Sequence, residues 1–183
     1  MNDMATLPRL SNFHHVAFRC RDAQETRGFY EGVLGLPMAA GLAFDEVSGT
    51  DAQLRYLHVF FELGDGNYLA FFDAPDSATE EHFKPRSGFN RHIAIEAPDM
   101  AALQTYKQHL ESQGVACQGP LDHGFVQSIY FYDPNGIQVE ITARTPQHDV
   151  IMAQEQAKAD AEVKTWTRDT AGSKRGRGLR LAA

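Results

Sequence analysis

The sequence has few of the features that mark membrane, disulfide-rich or zinc-binding proteins. Only two of its 183 residues are cysteine, and Cys20 and Cys117 stand alone, without a CxxC or another zinc-ligand spacing. This pattern indicates no disulfide framework and is typical of a reducing cytoplasm. No apolar run approaches the ~20 residues of a membrane span, and the N-terminus lacks the apolar core of a signal peptide. We therefore expect a cytoplasmic protein without a membrane partner.

Positive charge is also scarce. The chain carries 17 lysines and arginines against 24 aspartates and glutamates, for a net charge of −7. An acidic surface repels the phosphate backbone, so nucleic acid is not the expected partner. Hydrophobic residues make up 43% of the chain and charged residues 22%. This composition predicts a globular protein of one domain or two merged halves.

What the chain does contain is an internal repeat. His15-Val16-Ala17 recurs as His92-Ile93-Ala94, and each copy reaches an aspartate seven residues after its histidine. The strand candidate at 68–72 matches 138–142 at a smaller offset, so the first copy has a longer middle loop. Two copies of strand, helix and about three strands predict two βαβββ modules. One such half-open sheet cannot bury its own face, so the modules are expected to pair around a shared cleft.

The repeat divides the chain into segments. Strong helix formers between Asp149 and Thr165 predict a C-terminal helix, and the Gly- and Arg-rich end predicts a mobile tail. The predicted segments are a leader (1–11), a first module (12–75), a connector (76–90), a second module (91–143), a C-terminal helix (144–171) and a basic flexible tail (172–183).

A hairpin near the end of the second module contains an unusual charge. The segment 128–132 reads as a strand, and Asp133-Pro134-Asn135-Gly136 reads as a turn, because proline fixes φ and glycine accepts a positive φ. In the return strand 137–142, alternation places Glu140 on the face opposite the apolar residues. A carboxylate in such a strand faces solvent, is paired, or binds a metal.

On these residues the chain resembles the vicinal oxygen chelate superfamily. The resemblance rests on the two modules, the paired His-[Val/Ile]-Ala openings, Phe29-Tyr30 followed by Leu34-Gly35-Leu36, and the 132–136 turn leading to Glu140. The superfamily includes glyoxalase I, extradiol ring-cleavage dioxygenases, fosfomycin-resistance enzymes and metal-free bleomycin-binding proteins. The resemblance implies an α+β fold, in which two paired βαβββ modules form a half-open barrel around a metal cleft.

The resemblance also implies one divalent metal. The superfamily's ligand positions correspond to His15, Ala70, His92 and Glu140, and alanine cannot ligate. The remaining two imidazoles and one carboxylate suit Fe(II) with open positions, although Mn, Zn or Ni also accept these ligands. His14 is the nearest rival of His15. Adjacent strand residues point to opposite faces, and the match between the two openings selects His15.

A second group of residues resembles the extradiol dioxygenase signature. His123, Tyr130 and Glu140 match it, with an imperfect fit at Leu121, and the resemblance implies that His123 and Tyr130 contact the catechol hydroxyls. His58 aligns loosely with the acid/base histidine of those enzymes. The predicted catalytic residues are therefore His58, His123 and Tyr130, and the predicted metal ligands are His15, His92 and Glu140.

The expected function is that of an Fe(II)-dependent extradiol dioxygenase, an oxidoreductase of aromatic compound catabolism that consumes O₂ and an aromatic diol. Two alternatives stay open. One is a glyoxalase-type metal-dependent lyase or isomerase with a water in place of the Ala70 ligand. The other is a metal-free small-molecule binding or resistance protein, against which the intact ligand set argues. Homodimerisation is common in the superfamily and is a further expectation.

Overall fold

The chain forms two four-stranded sheets of identical topology, as seen in a computed structural model that describes residues 7–8 and 10–178. The strand order is β1-β4-β3-β2 in the first sheet and β5-β8-β7-β6 in the second. In each sheet the first strand pairs in parallel with the last, and the other pairs are antiparallel. The strands are β1 (His15–Cys20), β2 (Met38–Glu46), β3 (Gln53–Glu62), β4 (Tyr68–Asp73), β5 (His92–Glu96), β6 (Gln118–Asp122), β7 (Val126–Tyr132) and β8 (Gln138–Arg144). The predicted α+β fold with two repeated modules is confirmed.

Each module has one helix after its first strand. Helix α1 (Ala23–Arg27) continues as a π-helical segment (Gly28–Val33), and α2 is Met100–Ser112. The repeated aspartates are the N-caps of these helices. Asp22 accepts a hydrogen bond from the Glu25 N–H at 2.7 Å, and Asp99 accepts one from the Ala102 N–H at 2.8 Å. Each aspartate satisfies an N–H that has no partner inside the helix.

The two modules share one core through the helix-covered faces of their sheets. The ring of Tyr30 lies 4.8 Å from that of Phe71 in the first sheet, and the ring of Phe29 lies 6.2 Å from that of Phe131 in the second. Because side chains alternate along a strand, the other face of each sheet points away from this core. We call these helix-free surfaces the open faces. The first open face carries His15, His58, Phe60, Ala70 and Phe72, and the second carries His92, Tyr130 and Glu140.

The turn after β7 joins the second module to α1. Gly136 has φ +71°, the left-handed conformation that glycine adopts without strain. The buried Asp133 carboxylate accepts a hydrogen bond from the Tyr30 hydroxyl at 3.0 Å, and the Asn135 side-chain oxygen accepts one from the Arg21 N–H at 2.8 Å. Burial raises the pKa of Asp133 above its usual value. The turn therefore connects β7 to β8 and also hydrogen-bonds to the first module.

The C-terminal helix is longer and more exposed than the sequence predicts. Helix α3 (His148–Gly176) begins after the predicted boundary at 144 and continues into the predicted tail. Its Val150 is 60% exposed and its Trp166 is 67% exposed, so these two apolar side chains do not pack against the body of the chain. Part of the predicted leader (1–6 and 9) and of the predicted tail (179–183) lies outside the described residues. Within the described chain, no helix is long and apolar enough to cross a membrane.

Candidate functional site

Four of the predicted site residues form a connected polar chain on the second open face. The His92 Nε2 atom lies 3.7 Å from Oε2 of Glu140. The other carboxylate oxygen of Glu140 accepts a hydrogen bond from the Tyr130 hydroxyl at 3.1 Å. The same hydroxyl lies 2.8 Å from Nε2 of His123. The structure therefore brings His92, Glu140, Tyr130 and His123 together in that order.

The strand register explains this arrangement. Tyr130 of β7 is paired directly with Glu140 of β8, and Glu140 with Ala94 of β5, so that the side chains share one face. His92 lies two residues before Ala94 and therefore projects to the same face. His123 comes from the loop after β6, where its backbone N–H donates to the Val126 carbonyl at 2.9 Å. A sheet and one tight loop thus supply the whole group.

Protonation of the tyrosine fixes the direction of the hydrogen bonds. Burial is the main cause that raises the pKa of Tyr130 above its ordinary value. The phenol therefore stays protonated at neutral pH and donates to the mostly buried Glu140 carboxylate. Its remaining lone pairs can accept a hydrogen bond from the Nε2–H of His123.

The other two predicted residues meet on the first open face. The rings of His15 and His58 lie 6.0 Å apart, and His15 lies 5.6 Å from Phe60. His58 is packed against two phenylalanines, with ring separations of 4.2 Å to Phe60 and 3.9 Å to Phe72. Burial, and next the neighbouring His15, lower the pKa of His58. Its Nε2 atom is buried and has no hydrogen-bond partner among the described residues.

The six predicted residues thus fall into two groups on two different sheets. Among the described residues, no three histidine, cysteine, aspartate or glutamate side chains lie close enough together to hold a metal ion. His92 and Glu140 form a pair of potential ligands, and His15 belongs to the other sheet. The predicted ligand set is not assembled within one chain in this structure.

Sequence reasoning missed the extent of the aromatic surface around His58. Phe44 of β2 stacks on Tyr56 of β3 with the rings 5.1 Å apart, and Tyr56 lies 5.6 Å from Phe72. We call Phe44, Tyr56, Phe72, His58 and Phe60 the aromatic row. The signal was present in β3, where Tyr56, His58 and Phe60 alternate with core residues. The contribution of β2 depends on how that strand pairs, which the sequence pattern does not specify.

Comparisons with known proteins agree with this fold. The sequence profile of the Glyoxalase/Bleomycin resistance protein/Dioxygenase superfamily matches residues 12–141. The putative ring-cleaving dioxygenase MhqA of Bacillus subtilis is 26% identical over 136 residues, which are 74% of this chain and 41% of that protein. The chain therefore spans less than half the length of this relative. The lactoylglutathione lyase of Pseudomonas aeruginosa is 26% identical over 145 residues, covering 70% of this chain and 80% of that protein.

Solved structures share the same architecture. A glyoxalase/dioxygenase from Nostoc punctiforme superimposes with a TM-score of 0.59 at 26% identity, covering 79% of this chain and 99% of that one. The fosfomycin resistance protein FosX from Listeria monocytogenes, solved in complex with Mn(II), gives a TM-score of 0.54 at 16% identity, covering 78% and 99% of the two chains. At 16% identity, the similarity to FosX concerns the fold alone. The FosX structure shows that one protein with this fold binds Mn(II).

Proposed function

Because the chain belongs to the Glyoxalase/Bleomycin resistance protein/Dioxygenase superfamily, we propose that it is a metal-dependent ring-cleavage dioxygenase for a catechol-type aromatic, with Fe(II) as the favoured metal. The observation that carries the proposal is the polar chain His92–Glu140–Tyr130–His123 on the second open face. It combines an imidazole and a carboxylate suited to a divalent metal with two groups that can hydrogen-bond the oxygens of a diol.

The geometry of the pair fits a metal. Bonds from a divalent metal to imidazole nitrogen or carboxylate oxygen are about 2.0–2.2 Å long, so two of them reach across about 4 Å. The 3.7 Å between Nε2 of His92 and Oε2 of Glu140 is within that reach. Nδ1 of His92 is already held by the Gly88 carbonyl oxygen at 2.8 Å. Nε2 is therefore the nitrogen left to coordinate.

We assign the third ligand to His15 of a second copy of the chain. The first strand of each sheet, β1 or β5, is an edge strand, and unpaired edges favour pairing with another chain. Beside β5 a cavity of about 650 Å³ lies open, lined in part by Ile95, Pro98 and Tyr106. Val16 of β1 is 39% exposed. A symmetric dimer that joins the first sheet of one copy to the second sheet of the other would complete two identical sites.

In such a site the first open face of one copy and the second open face of the other would have different roles. The bound metal would act as a Lewis acid toward the diol oxygens and conduct electron density from the substrate to O₂. Tyr130 and His123 would hydrogen-bond the substrate oxygens. His58 would accept a substrate proton, because its lowered pKa keeps the imidazole neutral at physiological pH.

The aromatic row supports an aromatic substrate. Its rings form a nearly continuous apolar surface from Phe44 to Phe60, and the row reaches His15. Rings prefer offset or edge-to-face contact with other rings, worth about 0.5–1.5 kcal/mol per pair beyond area burial. A flat ring entering the dimer cleft would find this surface on one side and the polar chain on the other.

A glyoxalase-type lyase is the second candidate. The similarity to the lactoylglutathione lyase, which extends over 80% of that protein, favours it. The same ligands would serve, with a water at the position of Ala70. Ala70 weighs against it, because the resemblance to glyoxalase I implies a carboxylate at this position.

The deciding experiment starts with anaerobic purification and metal analysis, followed by oxygen-electrode assays with Fe(II) and a catechol panel. We expect about one iron per site and catechol-dependent O₂ uptake that His92→Ala abolishes and His109→Ala, on the exposed side of α2, retains. Formation of lactoylglutathione from the hemithioacetal without O₂ uptake would select the lyase. A protein that binds no divalent metal would contradict both the dioxygenase and the lyase proposals.

A mixing experiment tests the dimeric site. His15→Ala and His92→Ala should each be inactive. In a mixed dimer, however, one of the two sites lacks both substitutions, so co-expression should restore about one quarter of the wild-type activity under random pairing. The same experiment with His92→Ala and Glu140→Ala should restore nothing, because both ligands lie on the same sheet. An active protein that sediments as a monomer would contradict a metal site shared between two copies.

A further inference from the structure

We infer that His14 is a positioning residue that fixes the His15 imidazole so that its Nε2 faces the metal. The Nδ1 atoms of His14 and His15 lie 2.8 Å apart, and the two rings meet edge to face at 5.1 Å. The inference rests on the metal site of the proposed function. It reverses the relation expected from the sequence, in which His14 is a rival of His15 for the metal.

The short distance, together with coordination through Nε2 of His15, assigns the proton positions. Two nitrogens at 2.8 Å form a hydrogen bond when one carries a hydrogen and the other a lone pair. A histidine that coordinates through Nε2 has its proton on Nδ1, so Nδ1 of His15 donates. His14 must then accept at its own Nδ1 and carry its proton on Nε2. With a metal on Nε2 of His15, the contact therefore selects one tautomer for each ring, whereas without the metal it also accommodates the reverse pair.

In the second module, the Nδ1 atom of His92 also has a hydrogen-bond partner, but this partner is a backbone oxygen. There Nδ1 of His92 is held by the Gly88 carbonyl oxygen at 2.8 Å, which leaves Nε2 facing Glu140. Both repeated histidines therefore use Nδ1 for an internal hydrogen bond and keep Nε2 free. A partner on the second nitrogen is the usual means by which a protein orients an imidazole ligand. A side chain provides it in one module and the backbone provides it in the other.

His14 is itself held in place. Its carbonyl oxygen accepts a hydrogen bond from the Tyr68 N–H at 3.0 Å, and its ring lies 5.5 Å from the Tyr68 ring. His14 comes just before the first residue of β1. The alternation of a regular strand therefore does not force its ring to the face opposite His15. The backbone bond and the tyrosine ring give it a defined position against which His15 can be oriented.

Two substitutions separate this role from simple packing. His14→Phe keeps a ring of similar size but removes the acceptor. His14→Asn keeps an acceptor oxygen attached to the same side-chain carbon. In the metal-free protein at a pH where imidazoles are neutral, two-bond ¹⁵N–¹H correlation spectra report the tautomer of each histidine. We expect the Nδ1-protonated form of His15 to be more populated in the wild type than in His14→Phe, because the phenyl ring offers no acceptor, and to recover its population in His14→Asn.

Metal affinity gives the second readout. Loss of such an orienting partner typically weakens metal binding about 10- to 100-fold, so we expect that loss in His14→Phe and near wild-type affinity in His14→Asn, measured by titration with Fe(II) or Mn(II). His109, bound to the Val33 carbonyl, should keep its spectrum in all variants and report the folded state. A His15 tautomer and a metal affinity that are unchanged in His14→Phe would overturn this inference. Wild-type protein that binds no metal would instead overturn the proposed function.

Discussion

Ala70 occupies in the first sheet the position that Glu140 occupies in the second. Ala17 of β1 pairs with Ala70 of β4, and Ala94 of β5 pairs with Glu140 of β8. The repeat therefore placed one methyl group and one carboxylate at equivalent points. This difference leaves the proposed ligand set with three members, and it is the clearest local reason to prefer the proposed dioxygenase over the lyase.

Restoring the carboxylate should change the site. In Ala70→Glu we expect tighter metal retention and loss of catechol-dependent O₂ uptake, because a fourth protein ligand occupies a position that substrate or oxygen needs. Ala70 is fully buried, so the larger side chain should also cost about 1–3 kcal/mol of stability. Ala70→Gln is the matched control, with the same volume and no charge. Equal O₂ uptake in the two variants would contradict the prediction.

Tyr130 should matter more than its neighbour Tyr132. Tyr130→Phe removes the donor to Glu140 and the contact with His123, and we expect about 10- to 100-fold weaker metal binding or turnover. Tyr132→Phe removes a hydroxyl that donates only to the Arg86 carbonyl at 3.0 Å and should behave like the wild type. Steady-state O₂ uptake and metal titration check both. Equal losses in both variants would show that the polar chain has no special role.

The turn after β7 should contribute strongly to stability. Asn135 is fully buried and bonds the Arg21 N–H and the Thr26 hydroxyl. Asn135→Ala leaves the Arg21 N–H without this partner and removes one of the two hydrogen bonds of the Thr26 hydroxyl, so urea denaturation should show a loss of about 2–4 kcal/mol. Asp65→Ala, in the exposed turn of the first module, is the control and should cost about 0.5 kcal/mol. A similarly small loss of stability in Asn135→Ala and Asp65→Ala would show that the hydrogen bonds of this turn do not hold the two modules together.

His58 should make the protein less stable in mild acid. Its pKa is lowered in the folded state by burial and by His15, so the unfolded chain binds a proton at a higher pH. The corresponding stability is present above the unfolded pKa of about 6.5 and is lost as the pH falls through the folded value. His58→Phe keeps the ring contacts and cannot be protonated. Between pH 7.5 and 5 the wild type should therefore lose more stability than the variant, as measured by the midpoint of urea denaturation. Midpoints that fall equally in both proteins would refute this prediction.

The two thiols should differ in reactivity. Burial raises the pKa of Cys20 to about 12, and its side chain is fully covered. Cys117 is partly exposed, although burial raises its pKa as well. The thiolate is the reactive form, so a thiol reagent should modify at most Cys117 in the native protein and both residues in urea. Rapid labelling of Cys20 in the native state would show that the core opens.

The sequence by itself determined the repeat and the local elements within each copy. The paired histidines, the N-cap aspartates Asp22 and Asp99, and the 133–136 turn are local patterns whose physics acts over a few residues. They predicted two βαβββ modules and the face on which Glu140 lies. The resemblance added His123 and Tyr130, and the register of the hairpin then pairs Tyr130 with Glu140.

Only the tertiary structure decided how these pieces meet. It separated His15 from His92 and Glu140, since they lie on the helix-free faces of two different sheets. It placed Phe44 beside Tyr56, and it set the His14 ring against Nδ1 of His15. These relations depend on strand order, on the register of β2 and on packing between residues far apart in the chain. No local pattern encodes such distances, because each one results from the balance of many contacts across the whole core.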